Sequence, residues 1–218
     1  MKDGVVGVTT PPSPIHKTTV IVNTLYRTGT NYFFTLLFHS IRDNNENVLF
    51  ESLHSPAFAA VTPEHCIQFF VKRDPFDSIV SMIYARLYGI PEDKIKESLD
   101  QTLTHYADQW ILHLTNVIKN NNIEVVDFVD LSNNPKGLIA AINNKLGLMA
   151  FANDKILESV EEELEKRKNP GGDGFNHTPS KKSNNNEIIK EYLKSNNIFG
   201  KREEIYSLYN KIAPTIVI

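Results

Sequence analysis

Apolar residues fall in two rhythms along the chain. Four short runs are rich in β-branched and aromatic residues: TTVIVNT (18–24), VLFES (48–52), CIQFFVK (66–72) and IEVVDFVDL (123–131). Such runs predict strands. In the first, third and fourth the apolar character is continuous rather than alternating, which predicts strands covered on both faces, as in a parallel sheet. Between them the apolar spacing lengthens to three and four. TNYFFTLLFHSI (30–41) predicts a helix directly after the first strand, and DPFDSIVSMIYARLY (74–88) another after the third. Asp74 is placed to cap that second helix and Pro75 to open it. From Pro91 to Asn120, the residues Ile95, Leu99, Leu103, Tyr106, Trp110, Leu114 and Val117 share one helical face. PKGLIAAINNKLGL (135–148) predicts a helix closing on Gly147, and NDKILESVEEELEKRK (153–168) a charged amphipathic helix. The segment NPGGDGFNHTPSKKSNNN (169–186) is too rich in Gly, Pro and Asn for regular structure. Two short helices are expected near 186–194 and 201–212.

Strands alternating with helices predict an α/β fold of three layers, a central and mainly parallel sheet flanked by helices. Folds of this kind bind ligands beyond the C-terminal ends of their strands. One domain over 18–218 is expected, preceded by an extended arm over 1–17. The arm carries several prolines and lacks the apolar centre of a signal peptide. No apolar run reaches the length of a membrane span, so a soluble, cytoplasmic protein is expected.

Composition narrows the function. The 218 residues are 41% hydrophobic and 22% charged, with a formal net charge of -3. That balance argues against a nucleic-acid binder, which would carry a basic excess. A local basic pocket for a small anion stays open. The single cysteine, Cys66, rules out an internal disulfide framework and reads as a small apolar residue. No Cys/His spacing points to a metal.

The chemistry concentrates at two strand ends. After the first strand comes YRTGTN (26–31). A helix N-terminus there has N–H groups without helical acceptors and a partial positive charge. Gly29 lets the backbone approach an anion, Thr28, Thr30 and Asn31 add short donors, and Arg27 adds a permanent charge. The alternative is that Thr28 or Thr30 merely caps the helix while Arg27 meets solvent. The nucleotide-binding sequence G-x-x-x-x-G-K-[ST] is absent. The third strand ends in VKRDPFDSIVSMIY, where Arg73 is followed by Ser78 and Ser81, three apart on one helical face. Two such turns favour a ligand with two separated phosphate groups. The alternative pairs Arg73 with Asp74 or Asp77.

These turns resemble the paired phosphate-binding elements of the sulfotransferase family, whose donor is 3′-phosphoadenosine 5′-phosphosulfate and whose fold is like that of P-loop nucleotidases. The family's first element, roughly P-K-S-G-T-T-W, is matched by Tyr26, Arg27, Thr28, Gly29, Thr30, Asn31 and Tyr32. Its second, R-[ND]-P-x-D-x-x-x-S, is matched by Arg73, Asp74, Pro75, Asp77 and Ser81. LHSP (53–56) resembles the T-H-x-P stretch that carries the family's catalytic histidine, and 125–148 resembles a strand-loop-helix ending in L-G-L. The likeness covers roughly residues 18–150. The family's first-turn lysine is Arg27 here, its tryptophan is Tyr32, and its C-terminal R-K-G element is missing. In that element's place the 169–186 loop offers Asn176, Ser180, Lys181 and Lys182.

The resemblance implies in-line sulfuryl transfer to a hydroxyl or amine of a small-molecule or glycan acceptor. Arg27 would offset charge at the bridging oxygen with help from the backbone N–H groups of Thr28 to Asn31, and Tyr32 would stack on adenine. Arg73 and Ser81, with Ser78 as a weaker partner, would hold the 3′-phosphate, and Lys181 would close over the nucleotide. His54 would act as base. The other histidines have plainer explanations: His105 and His113 pack on the long helix or face solvent, His39 ends the first helix, and His177 lies in the loop. No metal is needed. Two other readings fit the same pattern: a P-loop kinase, and a catalytically silent nucleotide-binding module. The acceptor pocket is expected among 55–63, 86–110 and 169–186. Tyr84, Tyr88, Tyr106 and Trp110 either line it or pack the core.

Overall fold

A computed structural model describes residues 18–25, 28–42, 47–86, 92–166, 191 and 201–218. The arm over 1–17, Tyr26 and Arg27, Tyr88, the 169–186 loop with His177 and Lys181, and the short helix expected near 186–194 lie outside these residues. So do the side chains of Tyr84, Ile95 and Leu103.

The elements run β1 (Thr18–Asn23), α1 (Thr30–Arg42), β2 (Val48–Leu53), α2 (Pro56–Ala59), β3 (Cys66–Lys72), α3 (Pro75–Arg86), α4 (Glu92–Lys119), β4 (Ile123–Asp127), α5 (Phe128–Asn133), α6 (Pro135–Leu146), α7 (Asp154–Lys166) and α8 (Arg202–Lys211). The four strands form one sheet in the order β2-β1-β3-β4, all parallel. This is the α/β fold that the patterning predicts.

The continuous apolar strands are explained by two cores, one on each face. Successive strand residues point to opposite sides. Val20, Val22, Phe69, Val71 and Val126 pack with α1, α6 and α7. Phe70 and Val125 point the other way, into a core with Ile79 and Met82 of α3 and Leu99, Tyr106, Trp110, Leu114 and Val117 of α4. Tyr106 and Trp110 are therefore core residues at this stage of the chain, as their spacing allowed. The β4 edge is closed by the C-terminal tail, where Thr215 and Ile216 donate to the Val125 carbonyl.

Two boundaries differ from the sequence reading. The fourth strand stops at Asp127 rather than continuing through FVDL. The Asp127 carboxylate accepts from the Val129 N–H and so caps α5. The short helix α2, opened by Pro56, has too few residues to show a period. Gly147 ends α6 in the left-handed conformation, φ 65°, as expected of a glycine in that place.

Candidate functional site

Because all four strands are parallel, their C-terminal ends share one edge of the sheet. The strand order puts His54 (after β2), the Thr24–Gly29 turn (after β1), Arg73 (after β3) and Phe128 (after β4) in a row along it. The chain leaves β1 toward β2 on one side, while β3 and β4 lie on the other. The crevice above β1 and β3 is thus the topological switch point, where open parallel sheets take their ligands.

The β1 end is fixed by buried polar groups. Asn23 is almost fully buried, and its amide exchanges two hydrogen bonds with Ser55: Nδ2 donates to the Ser55 carbonyl and Oδ1 accepts from its N–H, both at 3.0 Å. The Thr24 N–H donates to the Leu53 carbonyl. His54 Nδ1 donates to the Thr24 carbonyl at 2.8 Å. A carbonyl can only accept, so the proton of neutral His54 sits on Nδ1 and the lone pair on Nε2. Burial lowers the His54 pKa, opposed by the bond to Thr24. The imidazole is therefore neutral near pH 7.

The turn itself is knotted by three threonines. Thr28 Oγ1 donates to the Leu25 carbonyl at 2.8 Å and lies 2.9 Å from Thr24 Oγ1, and the hydroxyls of Thr24 and Thr30 are hydrogen-bonded to each other. Thr24, Thr28 and Thr30 are all buried. Their hydroxyls thus close the turn on itself. Gly29 adopts φ 90°, and a Cβ there would lie 2.9 Å from Phe128 Cε2. Only glycine satisfies both the angle and the contact. Tyr32 faces the α1–α6–α7 core, partly buried, where burial and then Glu161 raise its pKa. Asn31 is partly exposed at the helix start.

The β3 end is built differently. Asp74 Oδ1 accepts from the N–H groups of Phe76 and Asp77 at 2.9 and 3.1 Å, which makes it the cap of α3 as expected. Its carboxylate also accepts from the Tyr206 hydroxyl of α8. Lys72 lies 4.5 Å from the Tyr209 ring centre, and Arg202 lies against both Phe76 and Tyr206. The Arg73 guanidinium sits 4.4 Å over the Phe128 ring. Burial lowers its pKa while Asp77 and Asp74 raise it, and the group stays charged. Phe128 therefore touches both turns: its edge meets Gly29 and its face carries Arg73. That ring sets their separation. Of the two serines, Ser81 is partly exposed, whereas Ser78 is fully buried and its Oγ has no partner among the described residues.

His113 packs, one of the two roles expected of it, and does so against the end of β1. It projects from the middle of α4 and is 1% exposed. It is hydrogen-bonded to the Asn23 backbone, lies 5.6 Å from the Phe70 ring and interacts electrostatically with His54. Burial, together with His54, lowers its pKa to about 4, against the opposing bond to Asn23. A sequence signal existed: His113 falls on the apolar stripe of Tyr106, Trp110 and Val117. Phe128, Tyr206 and Tyr209 carried no such signal, because their partners are remote in sequence. His105 is exposed, and His39 Nε2 lies 2.7 Å from Glu163 Oε2, away from the strand ends. Among the described residues no cluster of His, Cys, Asp or Glu is arranged to hold a metal, and no helix is long and apolar enough to cross a membrane.

Models of known protein families match no part of the chain, and no curated protein matches it in sequence.

Proposed function

We propose that the chain transfers a sulfuryl group from 3′-phosphoadenosine 5′-phosphosulfate to a hydroxyl, or an amine, of a small-molecule or glycan acceptor. The observation that carries this reading is the Gly29–Phe128–Arg73 contact. It joins the glycine turn and the R-D-P-x-D-x-x-x-S turn, on neighbouring strand ends, through one ring. A nucleotide with phosphates at both the 5′ and 3′ positions needs two anion sites held at a fixed distance.

In this reading the backbone at the start of α1 takes the 5′ end, since the Thr28 and Thr30 hydroxyls are engaged within the turn. Arg73 takes the 3′-phosphate, with the partly exposed Ser81 rather than the sealed Ser78 as its companion. The acceptor oxygen attacks sulfur as the bond to the 5′-phosphate oxygen breaks, and that oxygen leaves with the electron pair. Arg27, outside the described residues, offsets the growing negative charge without donating a proton. His54 Nε2 takes the acceptor's proton, because its Nδ1 is committed to the Thr24 carbonyl. Lys181 closes over the nucleotide.

The test is calorimetry with 3′-phosphoadenosine 5′-phosphate beside transfer from radiolabelled donor. Tight binding of that nucleotide is expected, and Arg73→Ala is expected to lose at least ~tenfold in affinity for it while binding of its 3′-dephosphorylated form barely changes. Equal weakening of both would remove Arg73 from the 3′-phosphate. Preference for ATP with magnesium would favour a kinase. Nucleotide binding without transfer to any acceptor would favour a silent module.

A further inference from the structure

The β1–β2 ladder ends just before His54. Its last pair is Asn23 with Leu53, and the Thr24 N–H donates to the Leu53 carbonyl. Pro56 then opens α2. His54 and Ser55 lie between, where the ladder has stopped and the helix has not begun. The chain continues the ladder there with a side chain. Asn23 is buried, and its amide takes both peptide groups of Ser55: Nδ2 donates to the carbonyl and Oδ1 accepts from the N–H, each at 3.0 Å. A peptide N–H only donates and a carbonyl only accepts, so the amide has one orientation. An amide side chain carries a donor and an acceptor side by side, as a peptide group does, and so replaces a missing rung. A leucine would fill the same space at the end of β1 but would release Ser55.

What the clamp surrounds is His54. The peptide before it presents the Leu53 carbonyl, and the peptide after it presents the Ser55 N–H. The first is bonded to the Thr24 N–H and the second to Asn23 Oδ1. The ring donates from Nδ1 to the Thr24 carbonyl at 2.8 Å. Both flanking peptides and the imidazole are thus tied to residues 23 and 24. Asn23 is held in its turn, because His113 of α4 is hydrogen-bonded to its backbone.

We propose that Asn23 is a positioning residue for the transfer step: through Ser55 it sets His54 against the Thr24 carbonyl, and so keeps the imidazole proton on Nδ1 and the lone pair on Nε2. This rests on the sulfuryl-transfer reading above, in which Nε2 takes the acceptor's proton while the acceptor oxygen bonds to sulfur and the 5′-phosphate oxygen leaves with the electron pair. Asn23 itself exchanges no proton. Without the clamp the His54–Ser55 peptide loses its tie to β1, the bond from Nδ1 to Thr24 loosens, and the proton moves to Nε2, where it blocks the base.

The experiment reads the His54 tautomer by long-range proton–nitrogen NMR correlation in isotope-labelled protein. Beside it are measured calorimetry with 3′-phosphoadenosine 5′-phosphate and transfer from labelled donor to phenol and to methyl β-glucopyranoside. The proteins are wild type, Asn23→Leu, Asn23→Asp and Ser55→Ala. Wild type is expected to carry the proton on Nδ1, and Ser55→Ala, which keeps both backbone bonds, to match it. Asn23→Leu is expected to shift the proton toward Nε2 and to lower kcat by about 10- to 100-fold, with nucleotide affinity and donor KM within about twofold of wild type. Asn23→Asp keeps the shape and the acceptor for the Ser55 N–H, and as a carboxylate cannot donate to the carbonyl, so it is expected to fall between. A wild-type proton on Nε2 would overturn the proposal, as would Asn23→Leu with the wild-type tautomer and kcat. Loss of nucleotide affinity in step with kcat, the tautomer unchanged, would make Asn23 a structural residue only, and so would unfolding of both Asn23 variants. Nucleotide binding by wild type with transfer to neither acceptor would overturn the catalytic role even if the tautomer moves. Failure of wild type to bind the nucleotide would instead overturn the sulfuryl-transfer reading, while a tautomer that still follows Asn23 would uphold the placement of His54.

Discussion

The turns after β1 and β3 cap neighbouring strands, yet opposite means hold them. The first is locked from within. Thr24, Thr28 and Thr30 bond to one another, Gly29 folds back at a positive φ, and the hydroxyls are spent on the turn itself. The second is locked from outside, by Asp74 capping its own helix and by Tyr206, Tyr209 and Arg202 arriving from α8. A turn whose threonine hydroxyls hold one another has none of those hydroxyls left for a ligand. A turn held by imported side chains keeps a charged side chain, Arg73, at its surface. In the proposed reading the start of α1, with Arg27, wraps one anion, and Arg73 meets the other.

The sharpest way to break this contrast is Gly29→Ala. A methyl group at Gly29 meets Phe128 at 2.9 Å, and φ 90° disfavours any side chain. The backbone conflict and the overpacking together are expected to cost about 2–4 kcal/mol in chemical denaturation. Adding Phe128→Ala should recover the packing share and not the backbone share, so the double variant should be better than additive. An additive pair would mean that Phe128 does not press on the first turn.

Acid should separate the turns next. Imidazoles anchored to Asn23 and Thr24 flank the first turn, and both have folded-state pKa values below the ordinary 6.5, His113 at about 4. Burial keeps them neutral, so the unfolded chain binds protons that the folded chain refuses. Their contribution is complete above about pH 6.5 and is lost as pH falls from there toward 4. For His113 the loss is roughly 2–3 kcal/mol. Urea denaturation from pH 7.5 to 4.5 should show this slope, and His113→Phe should flatten it. An unchanged slope would show that His113 is not buried neutral.

The contrast also marks what the sequence could and could not disclose. Gly147, Asp74 with Pro75, and the β3 limits Cys66–Lys72 were legible because each is decided within a few residues: a left-handed cap, a side-chain cap, a run buried on both faces. The fourth strand was overextended for the converse reason. FVDL is as apolar as a strand, and only the Asp127 bond to Val129 turns it into α5. At the site, Arg73 and Gly29 could be named from motif and turn chemistry. The inward aim of Thr28 and Thr30 could not, since a hydroxyl beside a helix start serves a ligand or the turn equally well until its partners are placed. His113 shared an apolar stripe, but its approach to His54 depends on α4 crossing the end of β1.

The smallest effect tests the external lock. Tyr206→Phe removes one hydroxyl from the Asp74 carboxylate and leaves the α3 cap bonds to Phe76 and Asp77 in place. It is expected to cost about 1 kcal/mol, with Asp74→Ala costing about 1–2 kcal/mol because the cap goes too. The informative quantity is their coupling. If α8 steadies the second turn through this contact, Tyr206→Phe should have almost no effect in an Asp74→Ala background, and both single variants should weaken binding of 3′-phosphoadenosine 5′-phosphate more than that of its 3′-dephosphorylated form. Independent, additive losses would place α8's contribution in the Lys72–Tyr209 and Arg202–Phe76 contacts instead, and the second turn would then be held by its own cap, as the first is by its threonines.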